Sequence, residues 1–271
     1  MFTSGHLLFI VLSVIITAMA VFVLSHKRPP VRRVFKVCFC LGMLSEVVKL
    51  FHDIKIVPVV EMAVEGAQLV YRQTGAFTPY LEAEHMPFEL CSYQLIFMLM
   101  GILLKDERWK KWLYATMYTT CIIGGGMAII FSSSTPGLTT VEEFVGSVEI
   151  WRTFLYHSML IVLGIYIGLS GECGLRFRDV RIPVVTVVCL DFLTFYLNSM
   201  MSTPYYQGDV LMGVGNAVNY FSSYNNPLGI AMSTKGAWLV YLLIRYALGA
   251  ALIILLQLWM LKKERKVVGT R

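Results

Sequence analysis

Seven apolar runs, near residues 7–25, 35–52, 87–104, 113–131, 152–170, 182–200 and 237–261, constrain this 271-residue chain more than any other feature. Each approaches the roughly 20 residues with which an α-helix crosses a hydrocarbon core. Inside lipid the backbone N–H and C=O groups must be satisfied within the segment, so such runs are expected to be helices. The intervening segments hold no polar block large enough for a soluble domain. Charged residues make up 15 % of the chain, against roughly 25 % in soluble proteins. The predicted fold is an all-α membrane protein, a seven-transmembrane helix bundle forming a single domain over residues 1–271.

The basic residues orient that bundle. Lys27, Arg28, Arg32, Arg33 and Lys36 follow the first run, and Lys105, Arg108, Lys110 and Lys111 follow the third. Arg176, Arg178 and Arg181 follow the fifth, and Lys262, Lys263, Arg265, Lys266 and Arg271 follow the seventh. With seven spans these 17 of the 23 Lys and Arg residues share one side. Positive residues stay cytoplasmic, which predicts an outside N-terminus and a cytoplasmic C-terminus, as in a multi-pass protein of the cell membrane. The first run has no basic residue before it, unlike a cleaved leader, and is expected to be a retained span. The net charge of +6 is spread over short loops beside lipid, so it reports topology and implies no nucleic-acid partner.

Two segments between runs are long. Over 56–72, Glu61, Glu65, Gln68 and Arg72 recur at spacings of four, three and four, with Val, Met, Ala and Leu between them. That periodicity predicts an interfacial helix on the outer side. Residues 202–236 are rich in Gly, Asn, Tyr and Pro. Loops of this length are usually functional or disordered, and the aromatic content favours a loop folding over the outer mouth of the bundle. Cys38, Cys40, Cys91, Cys121 and Cys189 fall in spans and Cys173 in a cytoplasmic loop, with no metal-ligand spacing among them. Neither a metal nor a cofactor is expected.

Polar residues inside spans point to function, because a central charge costs about 2.5–3.5 kcal/mol even on lenient insertion scales. Here they gather in the outer half. Span two carries Glu46, Lys49 and His52; span three opens with His85, Glu89, Cys91 and Gln94; span five opens with Arg152 and His157. Span six runs out through Asp191, Thr194 and Asn198, and span seven enters with Tyr241 and Arg245. At 1.5 Å per residue, Cys91 and His157 each lie about 9 Å inside the start of their span. Individually, Cys91 reads as a packing residue, His157 as a structural imidazole, and Glu46 with Lys49 or Asp191 with Arg245 as ion pairs. Their convergence on one half of the membrane favours a ligand site or catalytic chamber.

Four short stretches, in order, carry a resemblance. They are Pro87-Phe-Glu-Leu-Cys91, the glycine-rich Gly124–Gly137 with Thr135-Pro136, Phe154-Leu-Tyr-His157, and Asn198 followed by Asn219-Tyr220-Phe221. Together they resemble the YwaF-like family of integral membrane proteins, whose eukaryotic relatives include a multi-pass acyltransferase that remodels ether phospholipids through a cysteine nucleophile. The resemblance implies Cys91 as nucleophile, His157 as base, and Asn198, Asn219 and Tyr220 as site-lining residues. Glu89 stands where the family often has histidine.

Two functions follow. In the first, Cys91 takes an acyl group from a membrane phospholipid and passes it to another lipid or to water. Glu46, Lys49, His85, Glu89, Arg152 and Arg245 then line the substrate site with Asn198, Asn219 and Tyr220. In the second, the outer cavity belongs to a non-enzymatic binder, sensor or transporter subunit.

Overall fold

The computed structural model describes residues 2–65, 68–131, 138, 140–172, 174, 176–207, 210–215, 219–222 and 233–268. Ser132–Gly137 of the glycine-rich stretch, Cys173, Arg271 and most of the 202–236 loop (208–209, 216–218 and 223–232) lie outside the described residues.

α1 (Ser4–Lys27) and α2 (Val31–Asp53) are separated at Arg28, whose left-handed backbone (φ 44°) precedes Pro29 and Pro30. Proline cannot continue a helix but suits the start of the next one. β1 (Lys55–Glu65) and β2 (Gln68–Tyr80) follow, then α3 (Leu90–Leu103) and α4 (Glu107–Ile130). The Asp106 carboxylate starts α4 by accepting from the N–H groups of Arg108 and Trp109, at 2.7 and 3.3 Å, a standard N-cap. The short α5 (Val141–Gly146) leads into α6 (Val148–Ser170). α7 (Arg181–Met201), a hairpin of β3 (Thr203–Gln207) and β4 (Val210–Gly215), and α8 (Lys235–Val268) complete the chain.

α4 and α6 are the central pair, and each is mostly buried. They approach closely through glycine. A Cβ on Gly125 would stand 2.8 Å from the His157 carbonyl oxygen, and one on Gly164 would stand 3.0 Å from the Tyr118 carbonyl oxygen. Small residues permit such backbone contact between helices in lipid. α1 packs on α6, α2 on α3 and α6, α3 on α4, and α7 on α4 and α8. The outer faces are apolar and exposed, as at Val14, Phe22, Tyr196, Met200 and Leu243, whereas Gln94, Thr116, Thr119, Asp191 and Thr194 are buried. This pattern is that of a protein dissolved in lipid.

Five helices are long and apolar enough to cross a membrane: α1, α4, α6, α7 with its preceding turn, and Lys235–Trp259 of α8. The other two expected spans differ. α2 has 23 residues but carries Arg32, Arg33, Lys36, Glu46, Lys49 and Asp53. α3 has 14 residues, about 21 Å of helix, because 86–89 is extended chain rather than its first turn.

The interfacial helix expected over 56–72 is not formed. β1 and β2 pair antiparallel, with Lys55 opposite Tyr80 and Glu65 opposite Gln68. Ile56, Val57, Val59, Val60 and Val64 are β-branched and Pro58 lacks an N–H. Those residues favour a strand and an irregular edge over a helix, and the register shifts between Pro58 and Val60. The polar spacing of three and four was therefore coincidental.

Candidate functional site

The basic junctions gather at one end of the bundle. Arg32 Nε donates to the Ile102 carbonyl (2.9 Å), Val31 N–H to Glu172 (3.0 Å), and Lys111 pairs with Asp179 (2.7 Å). At the opposite end lie the last turn of α2, the first turns of α3, α6 and α8, and both hairpins. The candidate residues are found there.

α3 begins at Leu90 with Glu89 as its N-cap residue, in extended conformation and without a side-chain cap bond. The Glu89 carboxylate reaches elsewhere, accepting from the Phe221 N–H at 3.3 Å. Residues 219–222 thus return from the α7–α8 connection to the bundle. Tyr220 is buried, its hydroxyl donates to the Ala83 carbonyl, and its ring meets Phe88 edge-on at 5.6 Å. Asn198 on α7 holds Tyr220 by its backbone, accepting its N–H (3.1 Å) and donating to its C=O (3.2 Å). Arg245 on α8 donates to the Phe221 carbonyl at 2.5 Å. Phe221 is left-handed (φ 57°, ψ 25°), a conformation that costs a non-glycine residue about 1–2 kcal/mol and persists where neighbours enforce it. Glu89, Asn198, Tyr220 and Arg245 are therefore brought together around one strap of chain, with Asn219 half-buried beside it.

Arg245 also pairs with Asp191, which is 1 % exposed and accepts a second bond from the Tyr246 hydroxyl. The guanidinium lies 5.5 Å from the Tyr241 ring and 5.3 Å from that of Tyr246, within cation–π range. On α2, Lys49 and Glu46 stand 3.7 Å apart and are mostly buried. The Lys49 charge acts on Glu89 and Cys91, and those of Glu46 and Arg152 act on Tyr156. Lys49 thus addresses the start of α3, and Glu46 addresses α6.

His85 lies elsewhere. It occupies a 3-10 turn, Ala83–His85, ahead of α3, so it does not open the third span. Its Nδ1 is 3.2 Å from Asp53, and its Nε2 is 3.9 Å from Glu82. Pro87 likewise precedes the helix instead of forming its first turn.

Cys91 is half-buried in the first turn of α3, beside Ser92. The Tyr156 hydroxyl donates to the Cys91 carbonyl at 2.9 Å, joining α6 to that turn. His157 is 9 % exposed, and its Nδ1 lies 2.7 Å from the Thr153 carbonyl. A carbonyl only accepts, so Nδ1 carries the proton. Nε2 is then a lone-pair nitrogen, buried and without a hydrogen-bond partner among the described residues. No hydrogen bond joins Cys91 to His157 among the described residues; Tyr156 makes the link between the two helices.

Several participants escaped the sequence reading. Tyr156, Tyr246 and Phe221 carry no spacing signal, since their partners come from other elements. Gln94, which the sequence does single out, is fully buried, donates to Thr120 (3.0 Å) and accepts from the Cys121 thiol (3.2 Å). His6 of α1 donates to the Ile129 carbonyl at 2.9 Å and stacks on Phe2. Among the described residues, no group of three or more His, Cys, Asp and Glu side chains could hold a metal ion.

A helical bundle with apolar outer faces and a polar, hydrogen-bonded end defines a multi-pass integral membrane protein. The chain belongs to the TMEM164 family, whose family model it matches over residues 1–261. A comparison with curated proteins and one with solved structures return no match.

Proposed function

We propose that this protein is a phospholipid acyltransferase or transacylase of the cell membrane, with seven spans, an outside N-terminus and a cytoplasmic C-terminus. The observation that carries the reading is the state of His157, a buried neutral imidazole with Nδ1 satisfied and Nε2 open. That is the form a general base requires. Cys91 supports it from the first turn of α3, where unpaired N–H groups, the helix dipole and the Lys49 charge offset the Glu89 charge that acts against a thiolate.

In the proposed cycle, Nε2 takes the thiol proton as Cys91 Sγ attacks an ester carbonyl carbon of a phospholipid. The C–S bond forms, the ester C–O bond breaks, and the proton passes from Nε2 to the departing lyso-lipid alkoxide. A hydroxyl of the acceptor lipid, or water, then gives its proton to Nε2 and attacks the thioester. The acyl group is released and the thiol is restored with that proton. The uncapped N–H of Cys91 is suited to the tetrahedral oxyanion, and Lys49 and Arg152 to the lipid phosphate. Asn198 is committed to Tyr220 at both ends of its amide, so its part is to hold the strap. An outward site favours a phospholipid donor over a cytosolic one.

The second reading, a non-enzymatic membrane binder, draws on the pairing of Glu46 with Lys49 and of Asp191 with Arg245, which leaves those charges mutually neutralised. Acyl transfer in phospholipid vesicles separates the two. Cys91→Ser is expected to fold and to lose turnover, and His157→Ala to slow it at least 100-fold while lipid binding survives. Lipid binding by the wild type without any acyl transfer would establish the binder, and wild-type rates in both variants would remove Cys91 and His157 from the chemistry. For the topology, a Lys110→Cys variant on a background lacking the native cysteines should resist an impermeant maleimide on intact cells; rapid labelling would invert the orientation.

A further inference from the structure

Tyr93 is 8 % exposed, and its hydroxyl is buried with no hydrogen-bond partner among the described residues. An unpaired buried donor costs about 1–3 kcal/mol, whereas phenylalanine would fill the same space without that cost. The hydroxyl lies at a distinctive place. α3 packs on α2 and α4 and touches α6, while α7 packs on α4 and α8. The first turn of α3 is tied to α7 and α8 through the strap Tyr220–Phe221, gripped by Glu89, Asn198 and Arg245. The Tyr93 ring sits one turn beyond Glu89 and 6.5 Å from the Phe221 ring, under that strap.

We propose that the seam between α3 and the α7–α8 pair binds an acyl glycerolipid, and that the Tyr93 hydroxyl donates to one of its ester carbonyl oxygens. The lipid class rests on the acyl-transfer reading; the donor does not. A bilayer supplies two kinds of acceptor at this depth, the ester carbonyl and the phosphate. The charge of Glu89 acts on Tyr93 and opposes an anion there. A neutral carbonyl also enters an aromatic seam with less desolvation than a phosphate. Tyr93 acts as a positioning residue, since the reacting thiol of Cys91 lies on another side of α3.

The test uses the full chain in detergent micelles, with a diacyl phosphatidylcholine bearing a fluorescent acyl chain and its diether analogue, which lacks ester carbonyls. Tyr93→Phe is expected to leave the thermal midpoint unchanged or higher. It is expected to weaken binding of the diacyl probe about 5- to 10-fold, the worth of one neutral hydrogen bond, and to leave diether binding unchanged. Equal affinity of wild type and Tyr93→Phe for the diacyl probe would overturn the proposal. A lowered midpoint with binding intact would also overturn it, because the hydroxyl would then serve the fold. Equal weakening for both probes would contradict the ester assignment. Turnover by Cys91→Ala is scored separately. Weakened binding in Tyr93→Phe beside full turnover in Cys91→Ala would keep this site and remove Cys91 as the nucleophile; the reverse pair of results would keep the nucleophile and remove the site.

Discussion

The Asn198 side-chain amide grips the Tyr220 backbone at both ends, its oxygen taking the N–H at 3.1 Å and its nitrogen donating to the C=O at 3.2 Å. This pairing fixes the strap to α7 and places Phe221 between Glu89 and Arg245. Asn198→Ala removes both bonds and is expected to cost about 1–3 kcal/mol, read as a lower thermal midpoint. Asn198→Asp keeps the acceptor but sets a buried charge against a carbonyl, so it should be no better than alanine. An unchanged midpoint in both variants would show that the strap is held by other contacts.

Arg245 is the counter-charge of Asp191 in the interior of the bundle. Arg245→Met leaves that carboxylate buried with Tyr246 as its remaining donor, and breaking a buried pair this way typically costs about 3–5 kcal/mol. The double variant Asp191→Leu/Arg245→Met removes both charges and is expected to be more stable than Arg245→Met alone. Thermal unfolding in one detergent measures the coupling directly. Additive losses would mean that the two residues act independently.

Gly125 and Gly126 are neighbours with opposite surroundings. A Cβ on Gly125 would sit 2.8 Å from the His157 carbonyl oxygen and from Ile161 Cγ1, whereas one on Gly126 meets nothing within 4 Å. Gly125→Leu is expected to destabilise by about 1–3 kcal/mol or more through overpacking, pushing α6 and His157 away from α4. Gly126→Ala should be stabilising by up to about 1 kcal/mol from helix propensity. Equal midpoints for the two variants would contradict the close α4–α6 contact.

The sequence made the helices more legible than their connections. Long apolar runs mark α1, α4, α6, α7 and α8 because lipid requires both apolarity and length. α3 was misjudged at its start: Pro87, Phe88 and Glu89 continue the run in composition, but the backbone becomes helical only at Leu90. The polar spacing of Glu61, Glu65, Gln68 and Arg72 imitated a helix where β-branched residues form a hairpin. Within the site, Glu89, Asn198, Tyr220 and Arg245 were legible as costly or motif residues, though their common partner, the Phe221 turn, was not. Tyr156 and Tyr93 were invisible because a tyrosine hydroxyl acquires meaning only from what lies across the helix interface. His85 reads as the opening of the third span, yet a 3-10 turn gives it to Asp53.

The central claim is that Cys91 carries the acyl group, and trapping that thioester tests it most directly. Purified protein is incubated with a diacyl phospholipid, quenched in acid, digested, and the Cys91 peptide is weighed by mass spectrometry with and without hydroxylamine. The account predicts a hydroxylamine-sensitive acyl mass on the Cys91 peptide and on no other cysteine peptide. It also predicts that this mass disappears in Cys91→Ser and is strongly reduced in His157→Ala, whose thiol lacks its base. An unmodified Cys91 peptide from protein that is turning over lipid, or undiminished turnover in Cys91→Ala, would contradict it and leave Cys91 as a packing residue of α3.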